Sequence, residues 1–103
     1  MNIPIFLGIV MAEANSIQSG VAPDGPPTDV YTSLYSGVKI EVNWTNGDSA
    51  AYSRIYRYVS ESWSYIGQAD PGDKSYETGY TSGTMGVSHY KNGQETEIVS
   101  EVA

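Results

Sequence analysis

The side chains able to do acid–base or nucleophilic chemistry are few in this chain of 103 residues. It holds one histidine, His89, and no cysteine. A Ser-His-Asp or Cys-His mechanism therefore has a single possible base and no nucleophile elbow to serve it. His89 falls in a run that reads as a strand, next to Tyr90, where a structural or solvent-facing role is expected. The acids Asp70, Asp73 and Glu77 gather around a turn, but their spacing matches no calcium loop and Lys74 intrudes, so they read as solvated turn acids. Paired carboxylates for glycoside hydrolysis need a cleft that so small a domain hardly offers. Asn43-Trp44-Thr45 is formally a glycosylation sequon, read here as coincidence on a short paired strand. The expectation is a chain that is not an enzyme, with no catalytic, cofactor or metal site.

The aromatic side chains are more telling, with nine Tyr and two Trp against one Phe. Tyr suits half-buried strands and contact surfaces, where its ring packs and its hydroxyl stays bonded. Tyr52, Tyr56, Tyr58, Trp63 and Tyr65 are the densest group, and Tyr56, Tyr58, Trp63 and Tyr65 are its candidate contact face. In the run 52–59, Ile55, Arg57 and Val59 take one side and Tyr56 and Tyr58 the other. Arg57 on the Ile55 side leaves open which side is buried. Facing out, the rings make a patch for a protein or a sugar; facing in, they are core and cross-strand packing.

The element that positions them is set by Val38-Lys39-Ile40-Glu41-Val42-Asn43-Trp44-Thr45. Its period of two puts Val38, Ile40, Val42 and Trp44 on one face and polar residues on the other, the pattern of a strand with one buried side. Such a Trp needs an opposing sheet, so the expected core is Val38, Ile40, Val42, Trp44 and Ile55 inside a two-sheet sandwich. Further strands are expected over 28–34, 52–59, 63–68, 74–78, 84–90 and 95–102. Asn46-Gly47-Asp48, Glu61-Ser62, Asp70-Pro71-Gly72-Asp73 and Asn92-Gly93 mark turns, the last supplying the positive φ values of a two-residue hairpin. Seven short strands without a helical pattern after Pro27 favour a sandwich over any α/β fold. The formal net charge is −7. It repels phosphate backbones and anionic lipid, so neither nucleic acid nor membrane is an expected partner.

Residues 1–27 differ from the rest and form a separate apolar segment ending in a Pro/Gly-rich linker; residues 28–103 form the sandwich domain. The stretch MNIPIFLGIVM is too short to span a bilayer. Ala12-Glu13-Ala14 mimics a signal cleavage site, but no Lys or Arg precedes the apolar run. Phe6, Ile9, Val10, Glu13 and Ile17 would make a helical stripe, against which Gly8 and the β-branched residues argue. An extended arm is preferred over the helix. Its apolar side chains alone do not offset the cost of ordering it, so it needs a sheet edge or partner, with Ile3, Ile5, Phe6, Leu7, Ile9, Val10 and Met11 as the contact set. The other reading folds the arm back over its own domain.

The order Pro26-Pro27-Thr28-Asp29-Val30, the alternating strand ending in Trp44, Arg54-Ile55-Tyr56-Arg57, Trp63-Ser64-Tyr65-Ile66-Gly67, Asp70-Pro71-Gly72-Asp73-Lys74-Ser75-Tyr76 and Asn92-Gly93-Gln94-Glu95 resembles a fibronectin type III domain. It is most similar to those embedded in bacteriophage structural and bacterial surface proteins, over roughly residues 26–102. The run 83–90 departs from the family by being shorter and glycine-bearing, with Tyr80 or Met85 nearest the tyrosine-corner position. The resemblance implies an immunoglobulin-like sandwich with no cofactor, in a virion structural protein. The expected role is a capsid decoration or cement protein on the outside of the head. Its arm would hold the major capsid protein or another virion subunit, with self-association as a further possibility. The alternatives are a tail-, neck- or fibre-associated module binding host-surface carbohydrate, and a secreted adhesin-type domain at a bacterial cell surface.

Overall fold

The computed structural model describes residues 20–101, and the expected arm contacts at 3–11 lie outside them. The described chain is all β: β1 (Thr28–Tyr35), β2 (Lys39–Thr45), β3 (Tyr52–Val59), β4 (Ser62–Ala69), β5 (Ser75–Glu77), β6 (Thr84–Lys91), β7 (Gln94–Glu95) and β8 (Val99–Ser100). All pairings are antiparallel, in a three-stranded sheet of order β1-β2-β5 and a five-stranded sheet of order β4-β3-β6-β7, with β8 also on β6. The two sheets pack as a β-sandwich.

Alternation in β2 turns Ile40, Val42 and Trp44 into the core, where they meet Val30, Ile55, Ala69, Met85 and Val87, with Ile66, Tyr76 and Val99 packed on the margin. Val38 is a correction: it is 59% exposed and precedes the strand. Ser36 and Gly37 take positive φ of 52° and 79°, and the Val38 amide closes the turn on the Tyr35 carbonyl at 3.3 Å. Val38 therefore belongs to the hairpin tip, where Leu34 is 64% exposed as well.

The expected final strand over 95–102 is also corrected, because it divides in two. Tyr90 pairs with Glu95 and Val87 with Val99, so three residues (96–98) stand opposite two (Ser88 and His89). The Thr96 hydroxyl accepts from the His89 amide at 3.0 Å, and the Thr96 amide donates to the His89 carbonyl at 2.9 Å. A side chain thus substitutes for one rung of the ladder, a bulge by another name.

Two side seams join the sheets. At one, Tyr76 crosses from β5 and sets its hydroxyl against Gly67 of β4, where any Cβ would overlap it. At the other, the Glu101 carboxylate accepts from the Thr32 hydroxyl of β1 at 3.1 Å and from the Met85 amide of β6 at 2.7 Å. The turns Asn46-Gly47-Asp48, Asp70-Pro71-Gly72-Asp73 and Asn92-Gly93 share one end of the sandwich. There Asn46 donates to the Asp73 carbonyl at 3.2 Å and Asn92 to the Val21 carbonyl at 2.8 Å.

Candidate functional site

The Tyr-rich strand settles its own orientation through its neighbours. Ser53 and Ile55 of β3 are buried, so Tyr52, Arg54, Tyr56 and Tyr58 face outward. In β4 the register is Ile55 to Gly67 but Tyr56 to Tyr65, which makes Ile66 the extra residue of a bulge. Strict alternation would have placed Trp63 and Tyr65 on the same side as buried Ala69; the bulge turns them outward beside Tyr58 and Tyr56. Tyr56 packs edge-on against Tyr65 at 5.8 Å between centroids, and Tyr58 against Trp63 at 5.0 Å. Such edge-to-face pairs contribute about 0.5–1.5 kcal/mol each beyond area burial. The four candidate contact residues therefore do come together on the outer face of the five-stranded sheet. Tyr65 is 54% and Tyr58 46% exposed, whereas Tyr56 and Trp63 are half-buried.

Gly86 is what lets this face lie flat at its centre. A Cβ there would come within 2.6 Å of Ile98 and 3.0 Å of the Trp63 ring, so Trp63 from one edge and Ile98 from the other meet over bare backbone.

Beside the rings sits a polar hub that the sequence did not announce. Glu95 accepts from the Tyr56 hydroxyl, from the Ser88 hydroxyl at 2.5 Å and from Arg54 at 3.2 Å. Arg54 in turn lies over the Tyr90 ring at 3.7 Å. Partial burial pushes the Glu95 carboxyl up, but the Ser88 and Tyr56 hydrogen bonds and the Arg54 charge outweigh it and leave it below the usual range. Burial, then the bond to Glu95, raises the Tyr56 hydroxyl. For Arg54 burial is the largest single effect and lowers it, but the Glu95 charge and the neighbouring Tyr56 and Tyr90 hydroxyls together outweigh it and leave the guanidinium raised. The only signal in sequence for this hub was the position of Glu95 just past the Asn92-Gly93 turn, which places it opposite Tyr90.

The face that results is aromatic, and among its outward strand residues the charges are Arg54 and Glu95, which cancel. The outer side of the three-stranded sheet carries Tyr31 and Tyr35 as well, but among more charges: Ser33, Glu41 and Asn43 bond to one another there, with Lys39 and Glu77 alongside. Interface cores are depleted in charge and enriched in Tyr, Trp and Arg, which is the composition of the five-stranded face.

The titratable residues weighed for catalysis are placed elsewhere. His89 is fully buried at the turn end, with its ring nitrogens held by Gly47, Ser53 and Tyr52. Asp70 and Asp73 close their own turn, the Asp73 amide on the Asp70 carbonyl at 3.0 Å and the Asp70 amide on the Asp73 carboxylate at 3.2 Å. Glu77 stands apart on β5, across from Glu41. Among the described residues no group of His, Asp and Glu is arranged to hold a metal ion. Tyr80 lies under the Arg57 guanidinium at 4.5 Å, and Met85 is core.

Searches of family models, of curated proteins and of solved structures find no match to this chain.

Proposed function

We propose that this chain is a non-enzymatic structural protein of a virus particle, a fibronectin type III-like module that decorates the capsid exterior and is tethered by its N-terminal arm. The observation that carries a binding role is the charge-balanced aromatic face in a chain of net charge −7. A second support is the strand order. The first, second and fifth strands share one sheet, and the third, fourth, sixth, seventh and eighth the other. With the seventh and eighth counted as one divided strand, this differs from the immunoglobulin constant arrangement only in the sheet that takes the fourth strand. The tether reading rests on the apolar, uncharged run of residues 1–12 and on a root held at one end of the sandwich, through Asp24 on Asp48 and Asn92 on Val21. Extended backbone can add a strand to another chain while alternate side chains enter its pockets. Deleting residues 1–20 is expected to leave a folded domain that no longer co-sediments with shells of the major capsid protein; retained binding overturns the tether.

The outward rings favour one alternative, a module that stacks on host-surface carbohydrate. That reading expects polysaccharide affinity that survives removal of residues 1–20 and is lost in Trp63→Ala or Tyr65→Ala.

A further inference from the structure

The end of the sandwich that holds the root carries a buried titratable group with no part in the contact face. His89 Nε2 accepts from the Gly47 amide at 3.1 Å, so that nitrogen bears no proton. The ring proton then lies on Nδ1, within 3.2 Å of the Ser53 hydroxyl and 3.3 Å of the Tyr52 carbonyl. Gly47 is in turn pressed on the root: a Cβ there would overlap the Pro26 carbonyl and lie 2.8 Å from that of Gly25. The next residue, Asp48, is buried and accepts the Asp24 amide at 3.1 Å, the Ala50 amide at 2.9 Å and Lys91 at 2.7 Å. A continuous line of contacts thus runs from the imidazole through Gly47 and its neighbour Asp48 to residues 24–26.

We propose that His89 is a pH-sensitive latch on the root of the N-terminal segment, closed while the imidazole is neutral and opened when it takes a second proton. A protonated Nε2 is a donor facing a donor at hydrogen-bond distance, so the Gly47 amide loses its acceptor inside a packed site. Gly47 must then move, and it cannot move without disturbing Pro26 and Gly25. The groups around the ring are the Asp48 carboxylate from the β2–β3 connection, Lys91 from β6, Asp24 from the root, Ser53 and the Tyr52 carbonyl from β3, and Thr96 followed by Glu97 from the connection after β7. Burial holds the imidazole below its ordinary value of 6.5, against smaller upward effects from the Tyr52 carbonyl and the Asp48 charge. Asp48, held chiefly by Lys91, keeps its charge down to about pH 2. Its grip on Asp24 and Lys91 therefore outlasts the range in which His89 titrates, and the two devices separate in pH. The inference stands on these contacts and does not depend on what the aromatic face or the arm binds.

The test is residue-resolved amide hydrogen exchange on the full chain between pH 7.5 and 4, with the His89 ring followed by NMR. An open state with an ordinary histidine binds the proton more readily than the closed one. Protection at Gly47 is therefore expected to fall by up to about tenfold per pH unit below 6.5, levelling off once the closed form is protonated too. Asp24 is expected to follow it, while Ile55 and Val87 in the central ladder stay protected. His89→Gln keeps an acceptor that does not titrate, and its Gly47 protection is expected to be flat over the same range. Unchanged protection in the parent chain, or the same acid loss in His89→Gln, overturns the latch. Should that variant not fold, the parent decides alone, since a Gly47 loss that does not level off at the pH where the ring of the folded chain titrates also overturns it.

Discussion

Ser60 and Glu61 form the two-residue connection between β3 and β4, and both sit in the left-handed region, at φ of 52° and 67°. Replacing them together, Ser60→Asn with Glu61→Gly, is expected to stabilise the fold. The right-handed twist of a hairpin favours this turn geometry, but an L residue with a Cβ gives up about 1–2 kcal/mol to adopt it. Gly relieves that cost at Glu61, less about 0.5–1 kcal/mol for its greater freedom in the unfolded chain, and Asn relieves part of it at Ser60. The net gain is about 1 kcal/mol, which for a domain of this size raises the midpoint of thermal unfolding by about 4–8 °C. Calorimetry at neutral pH reads the shift directly. The molecule carries its own comparison, because Asn92 and Gly93 make the same connection between β6 and β7 at φ of 55° and 78°. The reverse exchange there, Asn92→Ser with Gly93→Glu, is expected to lower the midpoint by at least as much, since Asn92 also holds the Val21 carbonyl. A Ser60→Asn, Glu61→Gly variant that melts at or below the parent, with the β3–β4 ladder intact by amide exchange, refutes the reasoning.

Met85 is fully buried against Ile55 and Val87, so Met85→Ala is expected to cost about 2–5 kcal/mol in urea unfolding, with the slope unchanged. Gly67→Ala drives a methyl group into the Tyr76 hydroxyl and is expected to cost about 1–3 kcal/mol by the same measurement. Acid should destabilise the fold in a fixed window. Asp48, at about 2 against an ordinary 3.8, and Glu95, also lowered, bind protons more weakly folded than unfolded. Their stabilisation is complete above the ordinary carboxylate range and is lost as pH falls towards 2, read as a declining urea midpoint between pH 5 and 2. Glu95→Gln is expected to remove its share of that decline, while a parent midpoint that is flat over this window contradicts the assignment.

Most of the sandwich was legible because β2 and β3 follow period two without interruption, and because Asn92-Gly93 can hardly be anything but a tight turn. What escaped the sequence traces to single extra residues. Ile66 reverses the alternation of β4, so a literal reading of WSYIGQA puts Trp63 and Tyr65 with Ala69 rather than beside Tyr56 and Tyr58. The bulge at 96–98 splits the last strand and, through Thr96, fixes the backbone of His89. Val38 fitted the apolar row by its spacing, yet it falls in the turn, one residue before the paired ladder begins. The Glu95 hub and the Asp48 clamp were invisible because their partners lie far along the chain: Arg54 and Tyr56 for the first, Asp24 and Lys91 for the second. Pairing across such separations is set by register, which local patterns do not encode.

The proposed tether is tested most directly inside an assembled particle. With Phe6 replaced by the photo-crosslinker p-benzoylphenylalanine in the full chain, irradiation is expected to join this protein to the major capsid protein or another virion subunit, at a peptide that mass spectrometry can identify. Crosslinks that form solely within the same chain, to the sandwich at residues 28–101, would contradict an arm that holds a neighbour.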